Sequence, residues 1–341
     1  MWSGCRRHQG FTLVEVMIAM TLGLVVMGSA FAVFTSQRAT ARLSSGVADI
    51  QNEGRIALDL LVRDVRAAGD FGCWPVSTPI SVLATSAAFN PDDGALRGVD
   101  TAALSGLATS GVHGAAEVAA TSPDSDVVAL VGVSGALSEL SGGQAASSDA
   151  LMVKKPVQAF AANDVAVITD CINWTRFQIT SATDRSGGLQ ELAHAAGAVA
   201  GTHGGGNLRG DLGETYGLGA SVGRLDTTWW FVGQPDGKPR GLYRMSATSK
   251  VPVLVSPLVD KLRIRYDVDT DGDRVVNETA KTAATVSAWT GVRAVQVELL
   301  MRSKNQMGGQ AGSYVFGGST VTADDRAAYL SLRTTVGLRN L

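Results

Sequence analysis

The sequence predicts an α+β fold in which one long N-terminal helix packs on a mostly antiparallel β region. Two observations lead to this prediction. Residues 11–34 form an apolar run, and apolar residues then recur at helical spacing from Leu43 to Ala68. From about residue 76 the composition changes to glycine, serine, alanine and β-branched residues, in short runs typical of strands.

The first half of the predicted helix, residues 11–34, is apolar and carries a single charge, that of Glu15. A helix rises about 1.5 Å per residue, so a segment of this length spans the roughly 30 Å hydrocarbon core of a bilayer. An ionisable side chain at that depth is costly and is by default a functional hypothesis. We therefore predict a membrane-embedded segment in which Glu15 has a specific partner.

The second half, residues 35–69, has the apolar stripe of an amphipathic helix lying on a globular core. The stripe consists of Leu43, Val47, Ile50, Ala57, Leu61, Val65 and Ala68. Charged residues such as Asp64 occupy the other faces, and Gly69 ends the helix. Because glycine weakens helices, bending or melting is expected at Gly23, Gly28, Gly46 and Gly54.

The remaining residues, 70–341, form a predicted β-rich globular region. Predicted strands cover residues 127–133, 165–169, 227–232, 242–245, 262–267, 292–302 and 329–336. Three stretches rich in small residues, 83–122, 134–148 and 186–223, are interpreted as surface loops or insertions. The length of this region leaves open one enlarged domain or two small sheets.

A sequence motif lies at the start of the apolar segment. A short basic stretch ends in Gly10 and is followed by Phe11, Thr12, Leu13 and Glu15. These residues resemble the signature of the type IV prepilin family, which is a short basic leader ending in glycine and then Phe-Thr-Leu-x-Glu before an apolar helix. The resemblance implies that residues 1–10 are a leader, that a prepilin peptidase cuts between Gly10 and Phe11, and that the new amine of Phe11 is methylated. It also implies that Glu15 pairs with the N-terminal amine of a neighbouring subunit and sets axial register in a filament.

Two other interpretations of the N-terminus remain. A secretory signal peptide could be cut near residues 28–32, but its apolar region is expected to have 7–15 residues, and Glu15 has no role in it. A plain membrane anchor explains the apolar length but neither Gly10 nor Glu15.

Arg6 and Arg7 precede the span and favour a cytoplasmic leader. We therefore expect a single pass through the inner membrane of a two-membrane bacterium, with the C-terminal region in the periplasm.

Five further segments narrow this resemblance: residues 63–69 with Cys73, and residues 229–232, 242–244, 295–300 and 338–340. With them the chain resembles the PilW family of minor pilins. The resemblance implies a pilin-like fold and a structural, non-enzymatic subunit that primes assembly of a type IV pilus and joins the filament at its tip. The implied partners are the prepilin peptidase, other minor pilins, the major pilin, the inner membrane and a tip adhesin. The alternatives are a minor pseudopilin of a type II secretion system and a tip adhesin that binds a ligand through its loops.

The chain has three cysteines, of which Cys5 would leave with the leader. Cys73 and Cys171 would then be an even pair in an oxidising compartment, which predicts a disulfide. Two buried free thiols are the alternative. Neither cysteine has the spacing of a metal or redox motif.

Residues 267–278 fit the template of a calcium-binding loop. Carboxylates stand at loop positions 1, 3, 5 and 12, and Gly272 stands at position 6. The predicted ligands of Ca²⁺ are Asp267, Asp269, Asp271, Asp273 through its carbonyl, and Glu278. The preceding residues alternate as in a strand rather than a helix, and Arg274 stands where an apolar residue is usual. An acidic, solvated β-turn is the alternative.

Signs of catalysis or nucleic-acid binding are weak. The formal charge of −2 offers no basic surface for nucleic acid. His113, His194 and His203 lack metal-ligand spacing. Trp229 and Trp230 are adjacent, so we expect them to pack on opposite faces of one strand.

Overall fold

The computed structural model describes residues 12–73, 80–84, 95–99, 115–120, 125–197, 206–235, 237–306 and 311–338. Its longest element is the helix α1, Leu13–Ala67, which is continuous over 55 residues. It is helical at all four glycines where bending or melting is predicted, so the prediction of melting is wrong. The helix ends near its predicted end, where Gly69 takes a φ of 76°.

The β region contains seventeen strands within the described residues. They are β1 (Ile80–Ser81), β2 (Leu96–Val99), β3 (Val127–Glu139), β4 (Leu151–Lys154), β5 (Val165–Thr169), β6 (Trp174–Gln178), β7 (Ser181–Arg185), β8 (Leu189–Ala193), β9 (Ser221–Gly233), β10 (Gly241–Ser246), β11 (Val253–Ser256), β12 (Val259–Val268), β13 (Glu278–Lys281), β14 (Val292–Gln306), β15 (Ser313–Phe316), β16 (Ser319–Thr322) and β17 (Ala327–Gly337). A short helix α2, Ala115–Ala120, precedes β3.

Two larger sheets hold most of these strands. The eight-stranded sheet has the order β1-β6-β5-β9-β10-β11, with β3 also paired to β9 and β2 paired to β3. The four-stranded sheet has the order β13-β12-β14-β17. Smaller units are β4-β8-β7 and the hairpin β15-β16. The pairing is antiparallel except between β1 and β6, which confirms the predicted fold class of a long helix and a mostly antiparallel β region.

The second half of α1 packs chiefly against the inner face of the four-stranded sheet. Its buried residues are Ile50, Gly54, Ala57, Leu61, Val62 and Val65. They share one core with the inner residues of β12 and β14, and with Trp230 and Val232 of the larger sheet. The predicted stripe is therefore correct from Ile50 onward. Leu43 and Val47 lie outside this core.

Every predicted strand lies within an observed one, but all three predicted loops contain strand residues. The stretch 134–148 begins with the end of β3, and the stretch 186–223 contains β8 and the start of β9. These segments are rich in small and polar residues with low intrinsic strand preference, and pairing with neighbouring strands overrides that preference. The third predicted loop, 83–122, lies partly outside the described residues and contains β2 and α2 within them.

Gly54 lies where α1 touches the sheet most closely. A Cβ at this position would lie 3.1 Å from Cγ of Met301 and closer still to Leu332. We expect Gly54→Val to destabilise the fold by about 1–3 kcal/mol, because the added carbons must displace packed side chains. Denaturant unfolding of the full-length protein in detergent measures the effect. Arg55→Val, on the exposed side of the helix, is the control, and equal stability of the two variants would contradict the close approach.

Candidate assembly site and acidic loop

Among the described residues, the first half of α1 has no packing partner in its own chain. Residues 12–45 are all exposed, including apolar side chains such as Leu24, Met27 and Phe31. This part of the helix is also long and apolar enough to cross a membrane. Since an apolar surface of this size is not stable in water, its environment must be lipid or the helices of other subunits.

Glu15 lies in the first turn of this exposed segment and is hydrogen-bonded to the N-cap residue of the helix, Thr12. The N–H of Thr12 donates to Oε2 of Glu15 at 2.9 Å, and the N–H of Glu15 donates to Oγ1 of Thr12 at 3.3 Å. This reciprocal pair is a capping box. It holds the carboxylate beside the helix N-terminus, the end at which the chain continues to Phe11. Gly10 and Phe11 lie outside the described residues, so the cleavage prediction is not tested by this geometry.

The end of α1 is joined to the eight-stranded sheet by backbone pairing. The N–H of Gly69 donates to the carbonyl of Val131 at 2.8 Å, and the N–H of Val133 donates to the carbonyl of Asp70 at 2.9 Å. These two bonds extend the pairing of β3 onto the turn that follows the helix. The helix therefore cannot pivot at its C-terminal end without breaking strand-like hydrogen bonds.

The predicted disulfide between Cys73 and Cys171 is confirmed. It connects the turn after α1 to the loop between β5 and β6, across a sequence separation of 98 residues. Next to it, Phe71 stacks on Trp174 with ring centroids 4.7 Å apart, and the guanidinium of Arg176 lies over both rings. The disulfide and this aromatic cluster together attach the exposed helix to the sheet.

Asp64 forms a further attachment between α1 and the eight-stranded sheet. The sequence did not predict it, because Asp64 stands among the charged residues expected on the exposed side of the helix. Its Oδ2 accepts a hydrogen bond from Nε1 of Trp230 at 2.9 Å and one from Nε of Arg244 at 2.7 Å. The Trp229-Trp230 pair could have indicated this attachment. The N–H of a buried indole usually needs an acceptor inside the fold, and a carboxylate such as that of Asp64 can provide one. As predicted, the two rings lie on opposite faces of β9, in different cores.

The acidic loop brings together side chains of three of the five residues predicted to bind calcium, although Asp273 was expected to bind through its carbonyl. Carboxylate oxygens of Asp269, Asp271 and Asp273 lie within 4.8 Å of one another. Asp267 instead accepts hydrogen bonds from the N–H of Ala280 and from the side chain of Gln296. Glu278 belongs to β13 and forms an ion pair with Lys281 at 3.2 Å. The structure therefore does not assemble the full ligand set of the template.

Asp269 is a buried, fully bonded carboxylate in this loop. It accepts hydrogen bonds from Arg293, with Nη2 at 2.8 Å, and from the N–H groups of Gly272 and Arg274. These bonds, Arg293 first, lower the pKa of Asp269 to about 2, although burial acts in the opposite direction. Asp269 is therefore ionised at neutral pH, and a cation at this loop would have to compete with Arg293 for it.

Calcium binding by this loop stays a prediction, and the expected affinity is weak, on the order of 10⁻⁴–10⁻³ M. Calcium that binds only the folded form should raise the melting temperature by about 2–4 °C at millimolar excess over chelator. Thermal melting of the full-length protein in detergent tests this. Asp271→Asn should remove the rise and Asp59→Asn, on the exposed side of α1, should retain it. Identical melting of the unmodified protein in calcium and in chelator would identify the loop as an acidic turn only.

The histidines offer no cluster within the described part of the chain. The ring nitrogens of His194 lie 3.0 Å from the carbonyl oxygen of Gly210 and 2.9 Å from that of Asp149, and the side chain is buried. His194 is therefore part of the packing between β8 and the neighbouring loops. The predictions about His113 and His203 fall on residues outside the described ranges.

Comparison with known families gives two matches. Residues 230–340 match the family model described as type IV pilus-assembly protein W, and residues 5–31 match the prokaryotic N-terminal methylation motif. No curated protein and no solved structure matches the chain. The matches confirm the resemblance to the N-terminal motif, and they confirm the resemblance to the PilW family for residues 230–340; residues 63–69 and Cys73, where part of that resemblance lay, are outside both matches. The two matches support a structural, pilin-like role in pilus assembly, with processing by a prepilin peptidase and assembly with other pilins.

Proposed function

We propose that this chain, which joins a prokaryotic N-terminal methylation motif to a C-terminal region of the PilW family, is a minor pilin that primes assembly of a type IV pilus and stays at the filament tip. One observation carries the proposal. Among the described residues, positions 13–45 of α1 belong to no hydrophobic core, whereas the same helix packs in the globular core from Ile50 onward. A subunit of this shape can stand in the membrane and later exchange lipid for the helices of other subunits.

The assembly step depends on Glu15. Cleavage after Gly10 creates a cationic amine at Phe11, and the capping box already places the carboxylate at the helix terminus. When this helix lies beside another subunit, Glu15 neutralises the amine of that neighbour in a low-dielectric environment. Pairing of the two charges favours one axial stagger between helices, because other staggers leave both groups unpaired.

The globular region supplies the lateral contacts of the assembled subunit. Its link to α1 is rigid because three attachments converge there: the disulfide of Cys73, the Asp64 bonds to Trp230 and Arg244, and the backbone pairing of Gly69 with β3. Movement of the helix during assembly is therefore transmitted to the sheets. We place the region in the periplasm before assembly and outside the cell afterwards.

Processing at Gly10 is the first test of the proposal. We expect Gly10→Val to retain the leader, so that the intact mass of the protein exceeds that of the mature form by the mass of residues 1–10. Gln9→Val, one position earlier in the leader, is the control and should be cleaved. Mature-length protein from Gly10→Val would refute the role of this motif.

Piliation tests the priming and tip roles. A strain that lacks the chain should have far fewer pili, whereas those that form should have ordinary length, since elongation uses other subunits. Antibody against the globular region should label filament ends. Labelling along the whole filament, or full piliation without the chain, would overturn the proposal. Restoration of protein secretion rather than piliation would instead identify a secretion pseudopilin.

A further inference from the structure

We infer that the outer edge of β17 binds an extended strand contributed by another subunit of the pilus assembly. The inference rests on the proposed function and adds to it a specific docking surface. β17 is the last strand of the four-stranded sheet and pairs with β14 on one side only. Within the described residues, nothing pairs with its other side.

The edge presents a regular set of unpaired backbone groups. The register with β14 is unbroken from Ala294 opposite Gly337 to Arg302 opposite Tyr329. The N–H of Leu338 donates to the carbonyl of Arg293, which fixes the alternation of bonded and non-bonded pairs along the strand. Residues 329, 331, 333, 335 and 337 therefore direct their N–H and C=O groups away from β14. Their spacing is that required by an added antiparallel or parallel strand.

This edge lacks the features by which sheets normally prevent strand addition. From residue 329 to 337 it contains no proline, no bulge and one charge, that of Arg333. The other edges of the two larger sheets are short: β11 has four residues between Pro252 and Pro257, β13 has four with a charge at each end, β2 has four, and β1 has two. β17 is thus the longest unprotected edge of these two sheets among the described residues.

Neighbouring side chains keep this edge in a fixed conformation. Tyr329 stacks on Tyr314 of the β15-β16 hairpin, with ring centroids 4.5 Å apart. Oγ of Ser331 donates to the carboxylate of Glu298 at 2.8 Å, and the hairpin N–H of Gly317 donates to the same carboxylate. A strand that is already ordered loses little conformational entropy when a partner pairs with it.

The two faces of β17 define the chemistry of the partner strand. On the face toward α1, Leu330 and Leu332 are only partly buried, whereas Leu299 and Met301 on β14 are fully buried. Apolar residues at alternate positions of the partner strand would complete this cover. On the other face Arg333 and Arg263 share one carboxylate, that of Glu298, at 3.8 and 3.6 Å. The side chain of Arg333 is still 58% exposed, so an acidic residue beside it on the partner strand would balance the second positive charge.

A different subunit fits these features better than a second copy of this chain. If two β17 strands paired antiparallel about residue 333, the two Arg333 side chains would lie directly opposite each other. If they paired about residue 332, the two side chains would lie diagonally on the same face. Like charges in such positions are destabilising. The occupant is therefore a strand of another pilin subunit, with apolar residues on one face and an acidic residue on the other.

The test is photocrosslinking in piliated cells that make the full-length chain. A benzoylphenylalanine at position 335 should give an adduct heavier than the chain by the mass of one other pilus subunit. The control position is Thr183, which is exposed on β7. Arg333→Pro removes an outward N–H that β14 does not use, so it should lower the adduct yield roughly tenfold or more and leave cleavage and the disulfide intact. Arg333→Ala removes the same charge but keeps the N–H, and it should retain most of the adduct.

Three results would overturn the inference: no adduct at position 335, an adduct equally abundant in Arg333→Pro, or an adduct between two copies of the chain. If Arg333→Pro does not accumulate, Thr335→Pro with the crosslinker at position 333 repeats the comparison. A strain in which the chain is cleaved and piliation is normal but no adduct forms refutes only the docking surface. Failure of cleavage at Gly10 refutes the proposed function itself.

Discussion

Glu15→Val is expected to be cleaved and methylated normally but to be nearly absent from pili. The change preserves the apolar helix and removes the one carboxylate of residues 11–34, so the amine of Phe11 in a neighbouring subunit loses its partner in a low-dielectric environment. We expect incorporation into sheared filaments to fall by roughly two orders of magnitude, because removal of one partner leaves an uncompensated buried charge. Quantitative immunoblotting of the membrane and filament fractions measures it.

Two variants make the Glu15 experiment specific. Thr21→Val removes a polar group from the same segment, where Oγ1 of Thr21 bonds only within its own helix, to the carbonyls of Met17 and Ile18. It should be incorporated normally. Glu15→Asp keeps the charge on a shorter side chain and should restore part of the incorporation. Normal piliation by Glu15→Val would exclude the carboxylate from register setting.

Loss of the disulfide is expected to have the largest effect on folding stability. Replacing both Cys73 and Cys171 with serine should lower the free energy of unfolding by about 2–5 kcal/mol, since the crosslink closes a loop of 98 residues in the unfolded chain. Denaturant unfolding under non-reducing conditions, on full-length protein in detergent, measures the difference. The double variant should also accumulate less in cells, because its exposed helix is held by fewer attachments.

Cys5→Ser is the matched control for the disulfide, because Cys5 belongs to the leader and should affect neither stability nor accumulation. Free-thiol labelling of unreduced, denatured mature protein should find no reactive cysteine. Quantitative labelling of both Cys73 and Cys171, or equal stability of the double variant and the unmodified protein, would contradict the structural role.

The local patterns of the sequence were sufficient for the long helix, for seven of the seventeen described strands and for the N-terminal motif. The apolar stripe from Ile50 to Ala68 identifies the side of α1 that is buried, since its spacing depends only on the helical repeat. The seven predicted strands likewise follow from β-branched and aromatic runs. Glu15 is recognisable without any structure because a lone carboxylate in an apolar segment requires a partner.

At the acidic loop, the spacing of residues along the chain did not predict which oxygens lie together in space. The template uses spacing along the chain, and that spacing is present from Asp267 to Glu278. Whether the carboxylate oxygens converge depends on the positions of β12, β13 and β14. In the structure Asp267 accepts a hydrogen bond from Gln296, and Glu278 pairs with Lys281. The fold also places Arg293 beside Asp269 as its ion-pair partner. Arg293 is 24 positions away in the chain and is therefore not part of the loop template.

The sequence by itself determined the membrane-length helix, its buried side, the processing motif, the class of fold and the cysteine pair. Each of these depends on the identity and local spacing of residues. Tertiary structure alone decided that Gly54 is a point of close contact, that Asp64 binds Trp230 and Arg244, and that β17 has no second neighbour among the described strands. These features depend on which segments become neighbours, because pairing and packing join residues such as Asp64 and Arg244 that lie 180 positions apart in the chain.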